Sequence, residues 1–148
     1  MPKQIHLTVA AVVPGKKGFL LVKERDGERI VINQPAGHVE PGEGLLDAVR
    51  RETLEETGWR VEPRHLLDIS IYTSPHNRVT YYRFAFLCEA LGHDRQATLD
   101  GDIIEALWLS ETELRARQDE MRSPLVIKTL DAYCSDKRYP LEIIKDYR

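Results

Sequence analysis

Between Leu7 and Val13 the chain reads Leu-Thr-Val-Ala-Ala-Val-Val, an apolar, β-branched run that predicts a strand. Pro14-Gly15-Lys16-Lys17-Gly18 punctuates it as a turn, and Phe19-Leu20-Leu21-Val22 resumes as a second strand, its expected hairpin partner. Arg29-Ile30-Val31-Ile32 is a short apolar segment, followed by a bend at Asn33-Gln34-Pro35-Ala36-Gly37-His38. After the turn Pro41-Gly42-Glu43-Gly44, the segment Leu45 to Thr57 takes helical spacing and stops at Gly58, the usual glycine just past a helix end. Leu66 to Thr73 and Val79 to Ala90 read as strands around Ser74-Pro75-His76-Asn77, and Ile103 to Leu109 as another, entered from Asp100-Gly101-Asp102. Ser110-Glu111-Thr112-Glu113 has the form of a capping box for a helix through Arg117, and Pro124 to Tyr133 is a last amphipathic helix. Strands around one long helix and two later ones predict a single α/β or α+β layered domain over residues 1–148, without repeats or linkers.

The pattern is least ordinary in the long helix. At about 100° per residue, Leu45, Ala48 and Val49 share the arc expected to face the core, and Glu52, Glu55 and Glu56 continue that arc. Spacings of three and four residues bring these carboxylates together, near a helix C-terminus where the dipole disfavours anions. A divalent cation would compensate, and hard oxygen ligands at this density favour Mg²⁺, with Mn²⁺ able to substitute.

The 148 residues, with a 42% hydrophobic and 30% charged composition, suffice for a packed core. A net charge of −3 with scattered Lys and Arg speaks against duplex nucleic acid as a partner and leaves a small nucleotide or pyrophosphate compound open. Cys88 and Cys134 form no CxxC pair, so neither a zinc site nor a disulfide framework is expected. The sequence shows neither the basic start and long apolar stretch of a signal peptide nor a run long enough to span a bilayer, and the expected location is cytoplasmic. Either a monomer or a homodimer is compatible with the sequence.

Gly37, Glu43, Arg51-Glu52, Glu55-Glu56 and Gly58 follow the spacing Gly-x5-Glu-x7-Arg-Glu-x2-Glu-Glu-x-Gly. This resembles the Nudix box, here running from Gly37 to Trp59; Thr53 stands where an aliphatic residue is usual. Asn33 to His38, Arg122-Ser123-Pro124-Leu125-Val126 and Arg138-Tyr139-Pro140-Leu141-Glu142 extend the likeness over nearly the whole chain, and resemble the NudJ-type phosphatases of bacteria. The resemblance implies the Nudix fold, an α-β-α sandwich around a mixed β-sheet. It also implies Mg²⁺-dependent release of orthophosphate from nucleoside tri- and diphosphates, and action on thiamine-type pyrophosphates. By matching positions, Glu52, Glu55 and Glu56 are metal ligands, with the backbone carbonyl of Gly37 a further one. Glu55, Glu56 or an acid outside the box takes a proton from the attacking water.

Glu43 and Arg51 read as an ion pair fixing the loop on the helix, which places them with Gly58 in a structural role. Asp102 and Glu105 are candidates for an additional ligand or base, set against ordinary surface acids at a strand end. Arg83 is a candidate for binding phosphate through its planar fork, or else an outward strand residue. Gln34 and His38 flank Gly37 and are candidates to line the site. Tyr72, Tyr81 and Phe84 either stack on a substrate ring or belong to the core. The competing functions are a house-cleaning pyrophosphohydrolase that releases pyrophosphate, a nucleotide-sensing Nudix domain without catalysis, and an RNA-decapping enzyme. The complete set of box glutamates favours catalysis, and the absence of a basic run speaks against RNA.

Overall fold

The structure is a computed structural model, described here for residues 4–148. Eight strands and three helices follow in the order β1 (Gln4–Val12), β2 (Pro14–Gly15), β3 (Gly18–Asp26), β4 (Arg29–Asn33), β5 (Ala36–His38), α1 (Leu45–Thr57), β6 (Trp59–Thr73), β7 (Val79–His93), β8 (Ile103–Leu109), α2 (Glu111–Ala116) and α3 (Leu125–Cys134). Short 3₁₀ turns cover Gln118–Glu120 and Leu141–Ile143. The strands form two sheets. One runs β5-β1-β7-β6, with β1 parallel to β7 and the other pairs antiparallel; in the second, β3 lies antiparallel to β2, β4 and β8.

The mixed sheet is covered on both faces, because alternate residues along a strand point to opposite sides. Val9 and Ala11 of β1 and Phe86 of β7 join Ala48 and Val49 of α1 in one cluster, which also takes in Leu20 of β3. Val12, Ala85 and Leu67 point the other way, toward Ala132 and Tyr133 of α3. A further cluster fastens α2 and α3 to the second sheet through Leu21, Ile32, Leu114, Val126 and Leu130. The result is the expected α-β-α sandwich.

The hairpin expected between β1 and β3 does not form. β1 pairs with β5 and β7, whereas β3 pairs with β4 and β8 in the other sheet; only the short β2 joins the turn to β3. Val9–Val12 and Leu20–Val22 are all essentially inaccessible to solvent. Unbroken apolar runs of this kind belong to central strands, each needing partners on both edges. The bend expected at Asn33–His38 also carries the short strand β5, which pairs Ala36–His38 with Thr8–Ala10.

Helix α1 spans the expected residues. Gly58 takes φ +77° and donates its N–H to the Leu54 carbonyl, closing the helix in a left-handed conformation natural to glycine. Thr53 is fully buried, and its hydroxyl donates to the Val49 carbonyl at 2.7 Å, so a polar side chain fits in an aliphatic position. The Ser110–Glu113 capping box forms with both reciprocal hydrogen bonds.

Candidate active site

The loop from β5 into α1 and the last two turns of α1 form one wall of a cleft of about 590 Å³, which Gly37, His38, Glu40, Glu52 and Glu56 line. Arg51 organises this wall. Its Nε and Nη2 donate to the two carboxylate oxygens of Glu43 at 2.7 and 2.9 Å, and Nη2 also donates to the His38 carbonyl at 3.0 Å. The bidentate pair holds the loop against the helix, and it keeps the Glu43 carboxyl below its usual range. The remaining nitrogen, Nη1, reaches Glu52 at 2.9 Å and Glu55 at 3.1 Å. Arg51 therefore contacts acids on both sides, Glu43 of the loop and Glu52 and Glu55 of the helix.

Gly37 leaves room for this arrangement. A Cβ at residue 37 would overlap the Glu52 carboxyl group, so β5 and α1 approach closely only through glycine. Glu52 is largely covered, and burial raises its pKa against the opposing pull of Arg51. Glu56 lies deeper. Burial pushes its carboxyl up to about 9, even though the Ala36 N–H donates to it at 2.9 Å. Glu55 is more open, with 42% of its side chain exposed.

Oxygens of Glu52, Glu55 and Asp100 all lie within 4.8 Å of one another. Asp100 sits in the loop before β8, and its N–H donates to the Glu55 carbonyl at 3.1 Å, which fixes that loop on the helix end. Three carboxylate oxygens at this separation, with Arg51 as their nearby cation, are a hard donor set suited to a divalent ion. Glu56 lines the cleft beside this set and is not part of the three-acid group. Sequence reasoning missed Asp100, having looked two and five residues later. The Asp-Gly-Asp turn was the available signal, and only the folded loop distinguishes its first acid. Asp102 is exposed, and its carbonyl accepts from the Arg25 N–H. Glu105 is exposed on β8 opposite Lys23 and is not among the residues lining the cleft.

Further lining comes from β6, β7, their connecting turn and the segment leading into α3, through Tyr72, Ser74, His76, Asn77, Tyr81 and Arg122. Tyr72 and Tyr81 thus face the cleft, whereas Phe84 packs against the main core. Arg83 borders the cleft but does not point outward, and its donors are engaged within the protein. It is 5% exposed, and its guanidinium donates to Thr129, Asn33 and Gln34 at 3.3, 3.0 and 3.1 Å. Burial lowers its pKa to about 10. Gln34 is likewise buried, accepting from Arg83 and donating to the Val126 carbonyl at 2.9 Å. His38 lines the cleft with Nε2 2.9 Å from His6 Nδ1; burial, then His6 and Arg122, lower its pKa.

Residues 4–130 match the family model of the NUDIX domain. The chain belongs to the Nudix hydrolase family. It is 37% identical over 142 residues to the phosphatase NudJ of Escherichia coli K12 and to that of Shigella boydii, an alignment covering 96% of this chain and 92% of each relative. A solved Nudix hydrolase from Nitrosomonas europaea superposes with a TM-score of 0.94 at 43% identity, over 98% of both chains. This Nudix protein is accordingly a hydrolase of phosphorus-containing acid anhydrides. No helix among its described residues is long and apolar enough to cross a membrane.

Proposed function

We propose that this Nudix hydrolase is a Mg²⁺-dependent phosphatase of nucleoside tri- and diphosphates that releases orthophosphate stepwise and also accepts thiamine-type pyrophosphates. The observation that carries the reading is the group of Glu52, Glu55 and Asp100 at the wall of a cleft large enough for a nucleotide. The NudJ relatives, which are named phosphatases, support orthophosphate as the product.

In this reading Glu52, Glu55 and Asp100 hold the cation, with Glu56 and the Gly37 carbonyl beside them. When bound, a divalent ion neutralises phosphate oxygens and makes a water molecule more acidic. Arg51 keeps Glu52 and Glu55 in place, and its hold on Glu43 keeps the loop from drifting off the helix. A glutamate of α1, Glu55 or Glu56, takes the proton from the attacking water; Glu56 lines the cleft and serves only in its ionised form, which a divalent cation bound beside it would favour. The acid expected from the β8 region is assigned to Asp100 in preference to Glu105, because Asp100 meets the box glutamates. Tyr72 and Tyr81 supply flat surfaces for a base or pyrimidine ring.

Ion chromatography of the products formed from GTP with Mg²⁺ tests the proposal. Orthophosphate with GDP, then GMP, is the expected order of appearance. Pyrophosphate as the first product would replace it with a pyrophosphohydrolase.

A further inference from the structure

We propose that Arg122 is the residue that grips the substrate's phosphate chain, closing its guanidinium fork on non-bridging phosphate oxygens and setting the affinity for polyphosphorylated compounds over monophosphates. The inference rests on the reading of the cleft as a phosphate-anhydride hydrolase site and adds the residue that selects its substrate class.

The need for such a residue follows from the charges. Glu24, Asp26, Glu40, Glu52 and Glu56 all line the cleft, a surface that repels a polyphosphate wherever no cation faces it. Two guanidinium groups are available among the lining residues, Arg83 and Arg122. Arg83 is committed: its three hydrogen bonds hold it in a buried frame, and presenting its fork would break them without water to replace them. Arg122 keeps 39% of its side chain exposed. Its Nη1 lies 3.1 Å from Glu24 Oε2 and its Nη2 lies 3.6 Å from Asp26 Oδ1, the second contact being longer than a hydrogen bond. Glu24 Oε2 itself, although buried, makes no hydrogen bond of good geometry to any described residue. The ion pairs therefore orient Arg122 without using up its donors.

The backbone beneath Arg122 is fixed. Its N–H donates to the Ile32 carbonyl at 2.8 Å, the preceding Met121 bridges to Ile32 beside β4, and Ser123 Oγ accepts from the Leu125 N–H at 3.2 Å as α3 begins. A guanidinium anchored in this way is pre-organised for the two-pronged contact that phosphate oxygens offer, and a lysine ammonium provides only a point charge. Glu24 and Asp26 orient the fork, and its uncommitted donors are left for the phosphate oxygens.

The test measures Arg122→Gln and Arg122→Lys alongside the parent protein. Affinity for guanosine 5′-(β,γ-imido)triphosphate is read by calorimetry with Mg²⁺ present, and KM and kcat are read with GTP. Arg122→Gln should weaken binding of the analogue and raise KM by about 10-fold or more, with kcat within about 3-fold and affinity for GMP little changed. Arg122→Lys should recover only part of the loss. Parent-like affinity in Arg122→Gln, or a loss confined to kcat, would overturn the assignment. If Arg122→Gln does not fold, Arg122→Lys decides, since parent-like affinity there rejects the fork. Failure of the parent protein to cleave any anhydride would remove the proposed function, whereas cleavage with an unmoved KM in Arg122→Gln removes only this inference.

Discussion

Two residues of this Nudix hydrolase make opposite demands on the same few ångströms. Gly37 must have no side chain, because a Cβ there would occupy the space of the Glu52 carboxyl group. Gly37→Ala should therefore push that carboxylate aside and lower kcat by roughly 10²-fold, with the melting temperature nearly unchanged, since the displaced group is the mobile end of a side chain. Unchanged turnover would show that the close approach of β5 to Glu52 is dispensable. Glu56 must be an acid although its surroundings resist its charge. Its carboxyl is pushed up to about 9 in the fold from an ordinary 4.5, mainly by burial. The folded metal-free protein thus binds a proton that the unfolded chain has lost, and its stability falls as pH rises between those two values. Glu56→Gln keeps an oxygen acceptor for the Ala36 N–H and removes the titration. In thermal melts with EDTA, the variant should gain on the parent progressively from pH 5 to pH 9. Parallel curves would mean that Glu56 is not held neutral.

Helix α1 was legible because two patterns overlap on it. Its ends are marked by local chemistry, and its acids continue the apolar arc. The arc was nonetheless too simple, since Thr53 and Glu56 are buried while Glu55 stays half-open. Periodicity gives a direction on a wheel and not the depth reached at each turn. Arg51 decides how those acids coexist, by bonding Glu43, Glu52 and Glu55 from one guanidinium. Arg51→Ala leaves the carboxylates facing one another and frees the loop, and is expected to cost roughly 1–3 kcal/mol in urea unfolding of the metal-free protein. A loss below about 0.5 kcal/mol would place this network with ordinary surface ion pairs. The strands were read less fully. β6 begins at Trp59 rather than Leu66 because bulges near Arg60, Pro63 and Leu66 accommodate a proline and charges that locally argue against a strand.

At the scale of the molecule, the layered fold could be read from the order of elements, and strand pairing could not. Two central strands joined by a tight turn look like a hairpin until burial of both their faces requires that each have other neighbours. The same long-range placement hid half of the site. The box glutamates have fixed spacing and were visible in the sequence; Asp100 arrives from a loop more than forty residues later, and only the fold brings its carboxylate beside those of Glu52 and Glu55. Arg83 shows the converse, a plausible phosphate ligand in the chain that the fold spends on Thr129, Asn33 and Gln34.

The central claim is that Glu52, Glu55 and Asp100 form one cation site, and Mn²⁺ binding followed by electron paramagnetic resonance tests it without turnover. The parent protein should bind the ion, and Asp100→Asn and Glu55→Gln should each weaken binding by about 10-fold or more while melting as cooperatively as the parent. Parent-like Mn²⁺ affinity in both variants would contradict it.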